Sequence, residues 1–428
     1  MRYVIIGNGV AGATAAMTLR KRDEQASITM ISGESDYFFS RTALMYAYMD
    51  RMTLRELEPF ERSVWDKQAI RRVRGWVRDI DAVRAAVTLE SGESIPYDRL
   101  LLATGARPNR PSWEGLDRAS NGFVHFVSLQ DLEQCEHLTK PAVKAIVVGG
   151  GLIGVELVEC LAHHGMDVTF LILEPWYWPV AMATDEGEMI SDHIRRHGVH
   201  VMHNEEVIAV MTADDGAVRG VKTRSGKEIE CGLLGVAIGV HPAVEWLAPV
   251  GMPPRIGRGI QVQPDFSTSL PNVWAAGDCA EIVLPDSKPF VEQIWYSAKR
   301  QGELAARSMA GDRIVYAPPI FYNSSKFFEI EYTTVGMVNN APTGARNFYM
   351  RIPGKDVSVR VVESDGAVIG FNMLGSRWNH TFFERWIAER RSMDYVMNHL
   401  GEAQFDVEFG RQDLSHVLAE YQLWRQRG

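Results

Sequence analysis

Near its N-terminus the chain reads RYVIIGNGVAG (residues 2–12), a short apolar run that ends in a glycine-rich turn. The run is rich in β-branched residues, which is typical of a buried parallel strand. Small and apolar residues from Ala13 to Arg22 predict a helix, residues 27–31 predict a second strand, and Glu34 follows it. The order of strand, G-x-G-x-x-G turn, helix, strand and acid predicts a unit that binds a dinucleotide.

Each glycine of this turn has a physical role in binding a dinucleotide. The first glycine permits the tight turn, the second lets a pyrophosphate approach the backbone, and the third lets the helix pack against the strand. The helix N-terminus then faces the phosphates, and the acid beyond the second strand accepts hydrogen bonds from a ribose. The candidate binding residues of this unit are Gly7, Gly9, Val10, Ala11, Gly12 and Glu34.

The same pattern recurs in the middle of the chain. Residues 145–154 read AIVVGGGLIG, residues 155–164 predict a helix, and residues 167–173 predict a strand that runs into Glu174. In both units the acid lies about 20 residues after the third glycine, as a dinucleotide fold requires. The candidate binding residues of the second unit are Gly149, Gly151, Leu152, Ile153, Gly154 and Glu174.

Composition excludes several other classes of protein. The 428 residues carry a formal net charge of −9, which argues against a dedicated nucleic-acid or anionic-membrane binder. No apolar run approaches the roughly 18 residues that a membrane helix needs, and glycines interrupt the N-terminus too early for a signal peptide. We therefore expect a cytoplasmic protein without an integral membrane segment.

Neither the cysteines nor the histidines form a recognised metal motif. The four cysteines show no C-x-x-C spacing, so we expect reduced thiols and no structural zinc site. Four histidines lie close together in the sequence, but their helical and strand spacings do not obviously converge, and no carboxylate joins them in a recognised order. We therefore predict no metal site; the histidines concerned are His193, His197, His200 and His203.

Three further motifs complete a recognisable set. They are ATG at residues 103–105, IGVHP at residues 238–242 and AGD at residues 276–278. Together with the two glycine turns, they resemble the pyridine nucleotide–disulfide oxidoreductase superfamily, flavoproteins with two dinucleotide-binding domains. The resemblance implies that the first unit binds FAD, that the second binds the nicotinamide nucleotide, and that Asp278 contacts the ribityl and phosphate region of FAD. It adds the candidate cofactor-binding residues Ala103, Thr104, Gly105, Gly239, Gly277 and Asp278.

The segment after the first unit departs from the disulfide-active members. Residues 36–46 read DYFFSRTALMY and contain no cysteine, so a disulfide relay from the flavin is not expected. The segment is more similar to the rubredoxin and ferredoxin reductase branch, which implies that Arg41 lies near the FAD phosphates or adenine. The flavin-proximal lysine of that branch falls at Tyr46, and whether Tyr46 takes over its role is left open.

Three residues are candidates for catalytic roles. EQIWYSAKRQG at residues 292–302 resembles a helix start of the same branch and implies that Trp295 lies beside the isoalloxazine. Glu156, early in the second unit's helix, is the candidate for positioning the nicotinamide; the alternative is a solvated glutamate favoured by the helix dipole. Tyr46 is the third. Core packing is the alternative for a single tryptophan.

The sequence thus predicts an α/β protein with FAD and NADH as cofactors. We expect an FAD-binding domain at residues 1–112 and 241–315, an NADH-binding domain at 113–240, and a C-terminal α+β interface-type domain at 316–428. NADH is favoured over NADPH because the Glu174 carboxylate would repel a 2′-phosphate.

The predicted function is electron transfer from NADH through FAD to an external acceptor. The acceptor is a small rubredoxin- or ferredoxin-type protein, a quinone, a ferric complex or oxygen. The alternative is an NADH-sensing flavoprotein whose slow charge-transfer complex changes its assembly, and a disulfide reductase is the least favoured hypothesis. Whether the chain forms a homodimer is left open.

Overall fold

A computed structural model describes residues 1–405, 408 and 412–427. The chain forms two compact units, each built from three separate segments. Unit 1 comprises Met1–Pro111, Val124–Leu138 and Ile238–Ala317, and unit 2 comprises Ser112–Phe123, Thr139–Ala237 and Pro318–Gly428. The three-domain division and its boundaries stay a prediction.

The strands, in chain order, are β1 (Arg2–Ile6), β2 (Ser27–Ser32), β3 (Ile70–Arg74), β4 (Val77–Asp81), β5 (Ala86–Leu89), β6 (Ser94–Pro96), β7 (Arg99–Leu102), β8 (Ala106–Pro108), β9 (Phe123–Val124), β10 (Lys144–Val148), β11 (Asp167–Leu171), β12 (His200–Met202), β13 (Val207–Thr212), β14 (Val218–Thr223), β15 (Glu228–Glu230), β16 (Leu233–Val236), β17 (Val240–Pro242), β18 (Ile260–Val262), β19 (Val273–Ala275), β20 (Ala280–Ile282), β21 (Phe290–Val291), β22 (Tyr322–Phe327), β23 (Ile330–Gly336), β24 (Arg346–Arg351), β25 (Ser358–Ser364) and β26 (Ala367–Leu374). The α-helices are α1 (Val10–Arg22), α2 (Leu44–Tyr48), α3 (Arg62–Lys67), α4 (Leu129–Leu138), α5 (Leu152–His163), α6 (Thr184–Arg196), α7 (Trp295–Met309), α8 (His380–Ala388), α9 (Met393–His399) and α10 (Ser415–Gln426).

Unit 1 is built on a five-stranded parallel sheet with the order β3-β2-β1-β7-β19. The inner strands β1, β2 and β7 are buried along most of their length because both faces of the sheet are covered there, as in other parallel sheets. Helices α1 and α7 pack against each other, and β4, β5 and β6 form a separate antiparallel sheet. Strands β5 and β6 form a hairpin within that small sheet.

Unit 2 contains a second sheet of the same kind, with the order β12-β11-β10-β16-β9. Its strands β12, β11, β10 and β16 run parallel, and α5 connects β10 to β11. The antiparallel strands β13, β14 and β15 form a small sheet of their own. Both predicted βαβ units are therefore present, each at the position that its glycine motif indicated.

The C-terminal part of unit 2 is an antiparallel sheet with the order β22-β23-β26-β25-β24. Helices α8, α9 and α10 pack against it, and Phe371, Phe383 and Trp386 lie at the centre of the shared core. The aromatic residues of these helices are thus core residues. These sheets confirm the predicted fold class of two Rossmann-like units and a C-terminal α+β part.

In the part of the chain that the structure describes, no helix combines the length and the apolar character that a membrane span requires.

Candidate functional site

The first glycine turn connects β1 to α1, and steric clashes would exclude a side chain at two of its three glycines. Gly7 has a φ of +107°, and a Cβ atom there would lie 2.0 Å from the carbonyl oxygen of Ala103. A Cβ atom on Gly12 would lie 2.0 Å from the Gly7 carbonyl oxygen. Side chains are therefore excluded at both positions, whereas a Cβ atom on Gly9 would point into open space. That space is where the predicted pyrophosphate would lie.

Helix α1 begins at Val10 with its first amides free of any side-chain cap. Gly9 is the N-cap residue and has an extended backbone, Val10 is half-buried, and Ala11 is buried. An uncapped helix N-terminus presents its N–H groups and the positive end of the helix dipole to an anion. The turn and the helix start together fit a bound pyrophosphate.

Glu34 and Arg41 lie together at the end of β2. The Arg41 guanidinium donates hydrogen bonds of 2.9 and 2.6 Å to the two carboxylate oxygens of Glu34, and the Leu129 amide donates a third at 3.1 Å. A cavity of about 380 Å³ opens beside Glu34 and is lined by Tyr37, Arg62 and neighbouring residues. The two predicted residues thus bind each other at the mouth of a cavity, and a ribose there would share the carboxylate with Arg41.

Hydrogen bonds join two loops of unit 1 near the first glycine turn. Thr104 Oγ donates a hydrogen bond to the Ala243 carbonyl oxygen at 3.0 Å, and the Ala243 amide donates to the Gly105 carbonyl oxygen at 3.0 Å. Asn109 donates through its backbone amide to Gly239, at 3.0 Å. Gly105 and Gly239 have φ values of +74° and +93°, a region that favours glycine. The structure therefore brings the predicted ATG and IGVHP motifs together.

The AGD loop is held by a buried glutamine. Gln301, which is fully buried in α7, accepts a hydrogen bond of 2.9 Å from the Gly277 amide and donates one of 2.9 Å to Glu292. Tyr316 donates a second hydrogen bond to the same Glu292 oxygen, at 2.6 Å. The sequence pattern of residues 292–302 contains Gln301 but does not indicate this role. Its buried amide fixes the backbone next to Asp278.

Asp278 lies in a crevice that encloses its carboxyl group on most sides. Burial raises the pKa of Asp278 to about 6, although the positive charge of Arg41 acts in the opposite direction. The assignment of Arg41 and Asp278 to one cofactor site stays a prediction.

Trp295 begins α7 and packs against Phe38 with a distance of 5.8 Å between the ring centroids. Two residues earlier, the side-chain amide nitrogen of Gln293 is buried and has no hydrogen-bond partner among the described residues. A buried donor without a partner is a group that a bound ligand can satisfy. Close packing also marks this helix, because a Cβ atom on Gly302 would lie 2.2 Å from the Ala11 carbonyl oxygen.

Tyr46 lies in α2 and is half-buried. Its carbonyl oxygen accepts hydrogen bonds from the amides of Arg51 and Met52, at 2.9 and 3.1 Å. These contacts describe its backbone and do not test a role for its ring. The role of Tyr46 near the flavin stays a prediction.

The second glycine turn repeats the geometry of the first. Gly149 has a φ of +119°, and a Cβ atom on Gly154 would lie 2.0 Å from the Gly149 carbonyl oxygen. A Cβ atom on Gly151 would point into open space, and the first turn of α5, with Leu152 and Ile153, has no side-chain cap. The second turn therefore fits a pyrophosphate for the same reasons as the first.

Glu174 is exposed and lies three residues after Leu171, the last residue of β11. Two of the aromatic residues that follow it pack against other aromatic residues of unit 2. Tyr177 is fully buried and meets Phe327 edge-on, and Trp178 packs against Phe327 and Tyr332. Packing is therefore the observed role of Tyr177 and Trp178.

Glu156 lies on α5 at the bottom of a crevice and is only partly accessible. Burial raises the pKa of Glu156 to about 8, the charge of Glu159 adds to this, and Lys326 opposes it. Lys326 donates a hydrogen bond of 2.6 Å to Glu159, so that pair is already formed. Glu156 is therefore half-buried rather than fully solvated, and burial favours its protonated form; its role at the nicotinamide stays a prediction.

All four cysteines are buried and unpaired with one another. Burial raises the pKa of the thiols of Cys135, Cys231 and Cys279, the second of them to about 12. Such thiols are poor nucleophiles.

The histidines separate into different environments. His193 and His197 meet Glu329, a carboxylate from far along the chain, whereas His200 lies on β12 and faces Asp167. The fold thus supplies a carboxylate that the spacing of residues in the sequence does not reveal.

Comparisons with known proteins agree with this geometry. The family model described as "Pyridine nucleotide-disulphide oxidoreductase" matches residues 1–306. The chain is 32% identical to rhodocoxin reductase of Rhodococcus erythropolis over 356 residues, which cover 80% of each chain. It is 26% identical to an NADH oxidase of Methanocaldococcus jannaschii over 405 residues, 88% of each. The solved water-forming NADH oxidase of Lactobacillus brevis superposes with a TM-score of 0.81 at 18% identity, covering 100% of this chain and 98% of that one.

Proposed function

The chain belongs to the pyridine nucleotide-disulphide oxidoreductase family, and from this premise we propose that it oxidises NADH and reduces an external acceptor without a protein disulfide. The family and the names of the relatives confirm the predicted oxidoreductase class and the predicted cofactors, FAD and NADH. The acceptor, the cytoplasmic location and a homodimer stay predictions.

FAD, when bound, accepts a hydride from NADH and can release electrons one or two at a time. The protein's contribution is to bind and orient the two cofactors. In unit 1, the space over Gly9 takes the pyrophosphate, Glu34 and Arg41 take the adenosine end, and Asp278 takes the ribityl region. The unpaired amide of Gln293 and the ring of Trp295 are the groups available to the flavin ring.

Glu156 is the group that we assign to the nicotinamide end. Because its pKa is raised to about 8, it is neutral at pH 7 and offers an O–H donor. A neutral carboxyl can donate a hydrogen bond to a carboxamide oxygen, and it avoids placing a negative charge in a poorly solvated crevice. This differs from the charged first-turn glutamate that a helix dipole would favour.

Glu174 supports the choice of NADH. Its exposed carboxylate can accept hydrogen bonds from both ribose hydroxyls of NADH and would repel the 2′-phosphate of NADPH. The position of Glu174 just beyond the second strand of its βαβ unit is the one that this discrimination requires.

The burial of all four cysteines is the observation that carries the proposal of a disulfide-free route. A disulfide relay needs a reactive thiolate beside the flavin, and burial disfavours the thiolate form of Cys279, the cysteine next to Asp278. Electrons must then leave the flavin directly for an external acceptor, such as oxygen, a quinone, a ferric complex or a small redox protein.

The test is an anaerobic stopped-flow titration of the FAD-loaded protein with NADH, followed by turnover with each class of acceptor. A Cys279→Ser variant is measured beside a Cys231→Ser control. We expect rapid flavin reduction, at least one acceptor that supports turnover, and equal rates in both variants.

Two outcomes would contradict the proposal. Flavin reduction over minutes, with an air-stable long-wavelength band and a change in mass by light scattering, would favour the NADH-sensing alternative. Loss of turnover in Cys279→Ser alone would favour a thiol-dependent reductase.

A further inference from the structure

Three metal-ligating side chains meet at the end of α6, away from both glycine turns. His193 Nε2 and His197 Nε2 each lie 3.0 Å from the same carboxylate oxygen, Oε2 of Glu329. The three donor atoms lie within 4.8 Å of one another. Glu329 belongs to the two-residue turn between β22 and β23, so a helix and a hairpin converge on one point.

The other ring nitrogen of each histidine is already engaged. His193 Nδ1 lies 2.8 Å from Oδ2 of Asp356, and His197 Nδ1 lies 2.9 Å from the carbonyl oxygen of His193. The carbonyl oxygen of His193 can only accept, so Nδ1 of His197 carries the proton and Nε2 of His197 is directed at Glu329, whereas Nδ1 of His193 lies within hydrogen-bond distance of both the Asp356 carboxylate and the Arg196 guanidinium. A metal-binding histidine usually forms a hydrogen bond through its other ring nitrogen with a carboxylate or a carbonyl oxygen.

The hairpin turn is held in place by packing. Phe328, the residue before Glu329, is 5% exposed, and its ring lies 4.6 Å from that of His197 and 6.3 Å from that of His193. The side chain of His193 is 11% exposed, whereas that of Glu329 is 72% exposed. The imidazoles are therefore preorganised, and the carboxylate closes the cluster from the solvent side.

The arrangement can accommodate a cation at its centre. With Nδ1 donating to a carbonyl oxygen, Nε2 of His197 can direct a lone pair toward the carboxylate of Glu329 at 3.0 Å, and Nε2 of His193 lies at the same distance from that oxygen. A metal cation between the three atoms would bind both imidazoles and the carboxylate. We propose that His193, His197 and Glu329 form a binding site for a divalent transition-metal ion of the zinc type.

Zinc chemistry fits the donor set and its size. Two imidazole nitrogens and one carboxylate oxygen are common zinc ligands, at about 2.0–2.2 Å from the ion. Tetrahedral ligands at that distance are roughly 3.3 Å apart, so the 3.0 Å separations of Glu329 from each histidine need to open only slightly. Because Glu329 is exposed to solvent, a water molecule can occupy the fourth coordination position of the ion.

The surrounding charges permit a cation. Arg196 is the guanidinium nearest to His193, at 3.3 Å from Nδ1, and it is paired with Asp356. Arg351 also pairs with Asp356, at 3.3 Å. The positive charges therefore lie on the Nδ1 side of His193 and are partly neutralised there.

The experiment uses the full-length, FAD-loaded protein after removal of metal with a chelator. Zn²⁺ is added, free ion is removed by gel filtration, and the zinc content per chain is measured; competition with a chromophoric chelator gives the affinity. The variants are His197→Asn, whose side chain is 33% exposed, and Glu329→Gln, and the control is His200→Asn, whose side chain is 70% exposed and faces Asp167. Co²⁺ loading gives an absorption spectrum that reports the coordination number.

We expect one tightly held zinc per chain in the unmodified protein and in His200→Asn. His197→Asn and Glu329→Gln should each weaken binding at least tenfold, and Co²⁺ should give the intense spectrum of a four-coordinate ion. Absence of retained zinc, equal zinc in His197→Asn, or loss in His200→Asn as well would overturn the proposal. None of these readouts depends on NADH oxidation, so the proposed function can fail independently.

Discussion

Replacing Glu156 by glutamine should make the stability of the protein less dependent on pH. Burial raises the pKa of Glu156 to about 8 from an ordinary value of 4.5. At about 1.36 kcal/mol for each pH unit, full ionisation in the crevice costs at most roughly 5 kcal/mol, because water that reaches the crevice reduces the cost.

The sign follows from proton linkage. Because the native pKa is the higher one, the contribution of the protonated carboxyl is fully present below about pH 4.5 and is lost as the pH rises through about 8. Glutamine has nearly the same shape and cannot ionise. The stability of Glu156→Gln relative to the unmodified protein should therefore rise steadily between about pH 5 and about pH 9.

Thermal unfolding of the FAD-loaded proteins, followed by circular dichroism across this pH range, measures the effect. Glu188→Gln is the matched control, since Glu188 is exposed on α6 in the same unit. We expect Glu156→Gln to melt several degrees above the unmodified protein at about pH 9, with little difference at about pH 5. A difference in Tm that stays constant over this range, or the same trend in Glu188→Gln, would refute the assignment of a neutral, enclosed Glu156.

Four other predictions concern the glycine turn, the choice of nucleotide, a buried ion pair and the cysteines. Gly9→Ala should fold normally but retain at least tenfold less FAD on gel filtration, because its Cβ atom enters open cofactor space, whereas Gly12→Ala should lower Tm since its Cβ atom meets a carbonyl at 2.0 Å. Glu174→Gln should narrow the preference for NADH, measured as the ratio of kcat/KM values with NADH and NADPH; an unchanged ratio would place this carboxylate away from the ribose. Arg360→Met should lower the free energy of unfolding by about 3–5 kcal/mol, because it leaves the buried carboxylate of Glu186 unpaired. Adding Glu186→Gln should recover part of that loss in urea titrations. All four cysteines should stay unreactive toward a thiol reagent until the protein is denatured, and rapid labelling of the native protein would contradict their burial.

The fold of both nucleotide-binding units could be predicted because it depends on local rules. A strand, a glycine turn and a helix in immediate succession leave few ways to arrange the backbone, and steric exclusion at Gly7 and Gly12 enforces the result. The strands after the turn were placed correctly for the same reason. The C-terminal part was predicted only as an α+β domain, and the bounds of its strands and helices come from the structure.

Other properties depend on residues that are distant in sequence. The raised pKa of Glu156 depends on burial and on the neighbouring charges of Glu159 and Lys326, which the sequence alone does not show. The role of Gln301 depends on the amide of Gly277, which lies on a separate loop. Sequence spacing cannot show which distant groups share a site.

The sequence by itself determined the family, the two glycine turns and the cofactor class, because these are encoded in contiguous motifs whose backbone geometry is local. Only the tertiary structure decided which side chains meet. It brought Glu329 to His193, because packing of the turn between β22 and β23 against α6 joins segments more than a hundred residues apart.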